Sequence, residues 1–132
     1  MDYSAHLKNI RRLEHIDRLN TGSEGEDLAS KFLKRLGYDV RERNIRLGKD
    51  EIDILAFDPE DQVLVFVEVK SRKRSDVDYG PELDFHHRKK KRLKRAMDKW
   101  VAEHDYDGPY RLDLLCVVAA KVTEHFKEIL LD

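Results

Sequence analysis

Three residues are spaced so that chemistry could reside on them: Asp53, Glu68 and Lys70. In the run Gln62–Lys70 the side chains of a strand alternate, so Leu64, Phe66, Glu68 and Lys70 share one face. The preceding run does the same, with Glu51, Asp53 and Leu55 on one face and Ile52, Ile54 and Ala56 on the other. A short turn, Asp58-Pro-Glu-Asp61, makes the pair an antiparallel hairpin in which Asp53 can lie near Glu68. Two carboxylates held together at the end of an apolar strand repel and desolvate each other, which a hard divalent cation would relieve. Lys70 beside them could orient a water or stabilise negative charge developing on a phosphate. On these residues alone, an ion pair of Lys70 with Glu68 or Asp53 is the alternative.

The elements that must position this hairpin follow from periodicity. Leu7, Ile10, Leu13 and Ile16 predict a weakly amphipathic helix over residues 5–19, either docked on the core or serving as a homodimer contact. Leu28, Ala29, Phe32, Leu33 and Leu36 form one side of a second helix, which Gly37 ends. Tyr38–Ile45 reads as a charged edge strand, and Phe85–His104 as a long basic helix with Leu93, Ala96, Met97, Trp100 and Val101 as its apolar stripe. Phe85 and Trp100 belong to the core on this reading, and His86 and His87 to the solvent. Asp107-Gly-Pro109 breaks that helix before a buried strand, Tyr110–Ala120, while Lys121–Leu131 is open between strand and helix. The expected architecture is α/β: a helical extension over residues 1–20, then one domain over 21–132.

The charge balance is near zero, with 26 Lys and Arg against 27 Asp and Glu in 132 residues. The total hides a segregation. Lys70–Trp100 carries a local balance of +7, and the rest of the chain −8. Seven cations fill eight positions, Arg88, Lys89, Lys90, Lys91, Arg92, Lys94 and Arg95, without an acid between them. Such a run is ordinarily a solvated helix face, yet its members repel one another and suit a polyanion. With Arg72 and Lys73 they are the candidate nucleic-acid-binding residues, and with no base-reading motif recognition would be of shape. One cysteine, Cys116, excludes an internal disulfide and reads as a buried small hydrophobe. No Cys/His cluster has zinc spacing, and no apolar run suits a signal peptide or a membrane span, so a cytoplasmic protein is expected.

Asp53, fourteen intervening residues and then Glu68-Val69-Lys70 resembles the signature of the PD-(D/E)xK nuclease superfamily. Gly22-Ser-Glu-Gly-Glu-Asp-Leu-Ala29, Leu36-Gly-Tyr38, Glu51-Ile-Asp-Ile54, Phe66-Val-Glu-Val-Lys-Ser-Arg72 and Arg111-Leu-Asp113 together resemble the bacterial YraN-like family. The match covers about residues 20–118. It implies a restriction-endonuclease-like core, a mixed sheet flanked by helices with the site on the central hairpin. It also implies metal-assisted phosphodiester hydrolysis, with Mg²⁺ or Mn²⁺ held by Asp53, Glu68 and the Val69 backbone carbonyl. Lys70 would be the motif lysine, and Glu26 the helical glutamate that completes the site in Holliday-junction-resolvase-like relatives. Glu51 would take a second ion, support the ligands or pair with an arginine. Asp50 stands where the family has glycine and would add negative charge near the site.

Glu26 has a competing use. Thr21–Glu24 and Ser23–Glu26 both read as capping boxes, and the second would tie Glu26 to the helix start. The expected function is an endonuclease acting on DNA rather than RNA, in repair, recombination or processing. The alternative is a nuclease-fold module that binds nucleic acid without cutting it.

Overall fold

The computed structural model describes residues 23–73 and 87–131; the predicted N-terminal helix, Phe85 and His86 lie outside them. Helix α1 covers residues 23–35 and buries Ala29 and Leu33. It closes as expected at Gly37, whose φ of 92° is one that a side chain would oppose. There the Tyr38 N–H donates to the Leu33 carbonyl and the Gly37 N–H to that of Lys34, each at 3.0 Å.

Five strands follow in one sheet of order β1-β2-β3-β4-β5: β1 Asp39–Leu47, β2 Asp50–Asp58, β3 Val63–Arg72, β4 Tyr110–Val118 and β5 Lys121–Phe126. All neighbours are antiparallel except β3 and β4. A parallel pair needs a crossover, and helix α2, His87–Glu103, lies within it. The segment left open between strand and helix contains β5, paired to β4 through the two-residue link Ala119–Ala120.

Alternation along β3 builds two cores, one on each face of the sheet. Leu64 and Phe66 face α2, where they meet Leu93, Ala96, Met97 and Trp100. Val65 and Val67 face α1, with Ala29, Leu33 and Tyr38. Phe66 is fully buried and packs edge-on against Trp100, with ring centroids 5.6 Å apart. Burying a side chain of that size contributes about 2–3 kcal/mol. The result is a five-stranded mixed sheet with α1 on one face and α2 on the other, the α/β layering expected.

One polar knot ties the hairpin turn to β4 and β5. Arg111 donates to Asp113, Asp58 and Asp61 at 2.9 Å each and to the Tyr38 hydroxyl at 2.8 Å. Asp113, fully buried, also meets His125 at 2.8 Å and accepts from the Glu128 N–H at 3.1 Å. The Asp58 carboxylate accepts from the Glu60 and Asp61 N–H groups, so the turn read from Asp58-Pro-Glu-Asp is held by its first residue.

Removing the guanidinium would leave two buried carboxylates without their main partner. Arg111→Met is expected to lower unfolding free energy by about 3–5 kcal/mol, read by urea denaturation. The Ala119–Ala120 link has φ of 50° and 63°, the geometry of a tight hairpin turn that favours Asn-Gly. Ala119→Asn with Ala120→Gly is expected to raise stability by about 1 kcal/mol in the same assay, although glycine ordinarily weakens a sheet.

Candidate active site

The site forms where the central sheet divides. The β2–β3 ladder runs from Asp58↔Val63 to Ile54↔Val67 and stops, although both strands continue. Beyond it β2 stays with β1 as far as Asp50↔Leu47, while β3 stays with β4 as far as Arg72↔Val118. Asp53 and Glu68 are the next residues of the two strands, so both carboxylates sit at the mouth of the gap. The Asp53 carboxylate replaces the missing ladder bond, accepting from the Val69 N–H at 2.8 Å. In a strand the N–H and C=O of one residue point to the same edge, so the Val69 carbonyl faces this gap too.

The electrostatics are those of charges crowded into a poorly solvated place. Burial, with the adjacent Glu68 carboxylate, pushes the Asp53 carboxyl from its ordinary 3.8 to about 8. Burial and the neighbouring Lys89 ammonium press Lys70 down from 10.5 to about 8, against the pull of Glu68 and Asp53. Glu68 is buried, and Lys89 Nζ lies 2.8 Å from its Oε1. Burial opposes the charge on Lys89, but Glu68 more than offsets this and its pKa is raised.

Glu26 is brought to the rim of this group from α1. Burial raises its pKa, opposed by Arg43 and by a hydrogen bond to Asn44, and Glu51 and Glu68 raise it further. Arg43 Nη2 lies 3.8 Å from Glu26 and 2.8 Å from Asp27. Ser23 is already helical, so Glu26 faces β1 and the carboxylates instead of closing a capping box on Ser23. The helix comes this close because residue 25 is glycine: a Cβ there would overlap the Ser71 side chain.

A cleft of about 340 Å³ opens onto the carboxylates, lined by Lys49, Asp50, Glu51, Asp53, Glu68, Lys89, Arg92 and Leu93. Glu51 is exposed on its wall. The basic run of α2 is thereby divided. Lys89 and Arg92 face this cleft. Arg95 instead holds Asp50 with two hydrogen bonds, 2.7 and 2.8 Å, and Lys99 lies 3.6 Å from the same carboxylate. Arg88, Lys91 and Lys94 are exposed, and Lys90 is half-buried. Arg72 and Lys73 line a different hollow, beside Glu24 and Gly25 at the start of α1. Asp50 does stand near the site as an ionised carboxylate, its pKa lowered to about 2 by the Arg95 hydrogen bonds, and that pairing also makes it a buried anchor for α2.

The donor set suits a hard divalent cation, because two crowded carboxylate oxygens and a main-chain carbonyl are the ligands such an ion takes. The fit rests on that pair and carbonyl, since among the described residues no three His, Cys, Asp or Glu side chains gather as a metal group. Lys49, Arg43 and the inward use of Lys89 were not read from sequence. Lys89 had a signal, since it lies four residues before Leu93, on the stripe that Leu93, Ala96, Met97 and Trp100 turn to the sheet.

Because the folded-state pKa of Asp53 is raised, its contribution to stability is fully present below about pH 4 and is lost as pH rises through about 8. Asp53→Asn keeps an acceptor for Val69 and removes the charge. In metal-free buffer the variant is expected to be more stable than the parent by about 1–2 kcal/mol at pH 9, with the gap closing at pH 5, in paired thermal melts.

Comparison with known proteins follows the same residues. The family profile described as "Uncharacterised protein family UPF0102" matches residues 25–117. A UPF0102 protein of Pelobacter propionicus is 39% identical over 104 residues, covering 77% of this chain and 73% of that protein. One of Flavobacterium psychrophilum is 37% identical over 119 residues, covering 87% of this chain and 94% of that protein. A solved structure described as an EndoMS–dsDNA2 complex superposes with a TM-score of 0.42 at 16% identity, covering 69% of this chain and 35% of that one. No helix of the described residues is long and apolar enough to cross a membrane. Through α1, the divided hairpin, the basic helix and β4, the chain belongs to the uncharacterised protein family UPF0102, the YraN-like family that its motifs resemble.

Proposed function

We propose that the protein is a Mg²⁺- or Mn²⁺-dependent endonuclease that hydrolyses phosphodiester bonds in DNA, including branched or repair intermediates. The observation that carries this reading is the Asp53–Glu68 pair at the mouth of the divided sheet, with Lys70 beside it and Lys89 and Arg92 across the cleft. Asp53, Glu68 and the Val69 carbonyl would hold the ion, which when bound polarises a phosphate oxygen and acidifies a water.

The chain's own residues supply the remainder. Lys70, with its pKa near 8, can hold or release a proton at Nζ close to neutral pH, which suits a group that orients the attacking water. The water gives up a proton to Lys70 Nζ or to solvent as its oxygen bonds to phosphorus, the bond from phosphorus to the leaving nucleotide oxygen breaks, and that oxygen takes up a proton from solvent. Glu26, on the rim, can accept a hydrogen bond from the water. Lys91, Lys94 and Arg88, exposed along α2, would hold the flanking phosphates without reading bases.

A second reading is favoured by one observation. Lys89 already sits on Glu68, as in a site whose carboxylates are kept neutralised for binding alone. The test is incubation with branched, single-stranded and duplex DNA, and with RNA, in Mg²⁺, in Mn²⁺ and in EDTA. Cleavage that EDTA abolishes is expected, lowered at least about 100-fold by Asp53→Asn or Lys70→Ala while DNA binding persists and neither variant melts below the wild type. An unimpaired double variant, or metal-independent binding with no cleavage of any substrate, overturns the nuclease reading, and the latter result supports the binding module.

A further inference from the structure

Lys89 is the one member of the basic run that the fold turns fully into the chemistry. Its side chain is 22% exposed and makes a 2.8 Å ion pair with a carboxylate that is itself only 8% exposed. It stands in the first turn of α2, and the two turns that follow are fixed to the sheet by Leu93 in the core and by Arg95 on Asp50. The Cα of Lys89 is therefore anchored while its four-carbon stem can swing, a freedom the rigid Arg95–Asp50 pair lacks. Facing the Lys89 ammonium are Glu68 and Asp53 from the hairpin, Lys70 from the same strand and Arg92 from its own helix.

We propose that Lys89 is a resident counter-cation on Glu68 that a divalent ion must displace, so that loading the ion frees an ammonium to bind a phosphate of the nucleic acid. The inference rests on the metal-dependent reading above and goes beyond it, because it assigns to one lysine both the resting state of the site and the order in which it fills. A carboxylate buried beside a second carboxylate is costly without a cation, and Lys89 supplies one while the ion is absent. A divalent ion brought to the same oxygens meets the ammonium as a like charge, and Lys89, on its flexible stem, is the group able to leave. Released, it stays on the wall of the cleft with Lys49 and Arg92, where three cations converge on whatever anion enters. Ion and phosphate then reinforce each other's binding, as linkage requires of two ligands that favour the same arrangement.

The test needs no turnover. Mn²⁺ is titrated calorimetrically into the metal-free wild type, Lys89→Gln and Arg92→Gln, the last removing an equal charge from the same cleft without touching the Glu68 ion pair. Lys89→Gln is expected to bind Mn²⁺ about tenfold more tightly than wild type, and Arg92→Gln within about threefold of it. In a second measurement on the wild type alone, brief acetylation with an amine-reactive ester is read at Lys89 by peptide mass spectrometry. Its labelling is expected to rise severalfold at saturating Mn²⁺, whether or not Lys89→Gln folds well. Wild-type binding with no gain in Lys89→Gln, an equal gain in Arg92→Gln, or unchanged Lys89 labelling overturns the displacement while leaving the metal site standing. Absence of Mn²⁺ binding in all three proteins overturns the metal-dependent reading, and this one with it.

Discussion

The structure turns on one interruption in a sheet. Had the β2–β3 ladder continued past Ile54↔Val67, Asp53 and Glu68 would stand on a continuous sheet with no gap between the two strands. It stops because β2 remains bound to β1 and β3 to β4, so twist carries the two pairs apart. The backbone N–H orphaned at Val69 then needs an acceptor, and Asp53 provides it. A charge that is expensive to bury is thereby fixed at the one place where the backbone requires an oxygen.

What surrounds the interruption is arranged to hold it open and to offset its charge. The Arg95–Asp50 pair draws α2 towards the start of β2, while Leu93 and Trp100 root the same helix on β3 through Phe66. The helix therefore spans both arms of the divided sheet. At the far end of the hairpin, Arg111 gathers Asp58, Asp61 and Asp113, closing the turn that the site end leaves apart. Both ends use buried ion pairs, with opposite results. Around Arg111 the buried Asp58 and Asp113 are given enough donors that both carboxyls are lowered despite burial. Around Asp53 the donors are too few, and its carboxyl is held well above its usual range. The network around Arg111 is complete, and the one around Asp53 is left short of donors.

Much of this was legible in the residues because it rests on period and pairing. Alternation in Gln62–Lys70 announces a strand covered on both faces and places Glu68 with Phe66, and the short Asp58–Asp61 turn brings Asp53 to its side. Gly37 was legible as a helix stop for the same local reason. The uses of the basic run were not legible as charge. Composition treats Arg88 to Arg95 as one patch, whereas a turn of 3.6 residues deals them to different surfaces. Arg95 and Lys99 go to Asp50, Lys89 and Arg92 to the cleft, and Lys91 and Lys94 outward. The partner of Asp50 is hidden for the same reason: a carboxylate forty-five residues before Arg95 carries no local sign of the pairing. The segment after β4 stayed open because Lys-Val-Thr-Glu-His-Phe suits either period, and the decision came from the two-residue link that returns it to β4.

The division of the basic run also explains why the chain tolerates so dense a charge. Seven like charges on one solvated helix face would repel along its whole length and gain little from pairing with exposed acids. Here the repulsion is reduced towards the two ends of the basic run: Arg95 is bound to a carboxylate that is nearly inaccessible, and Lys89 to another. Two of the seven are thus neutralised within the fold, leaving an exposed row short enough to be carried by solvent. The same two pairs differ in what they permit. The guanidinium on Asp50 makes two parallel hydrogen bonds and holds the helix in place, whereas the ammonium on Glu68 makes a single contact at the edge of a cleft. Arginine thus fixes the helix through two bonds while the lysine meets Glu68 through one, so the choice between the two cation types is itself part of how the site is built.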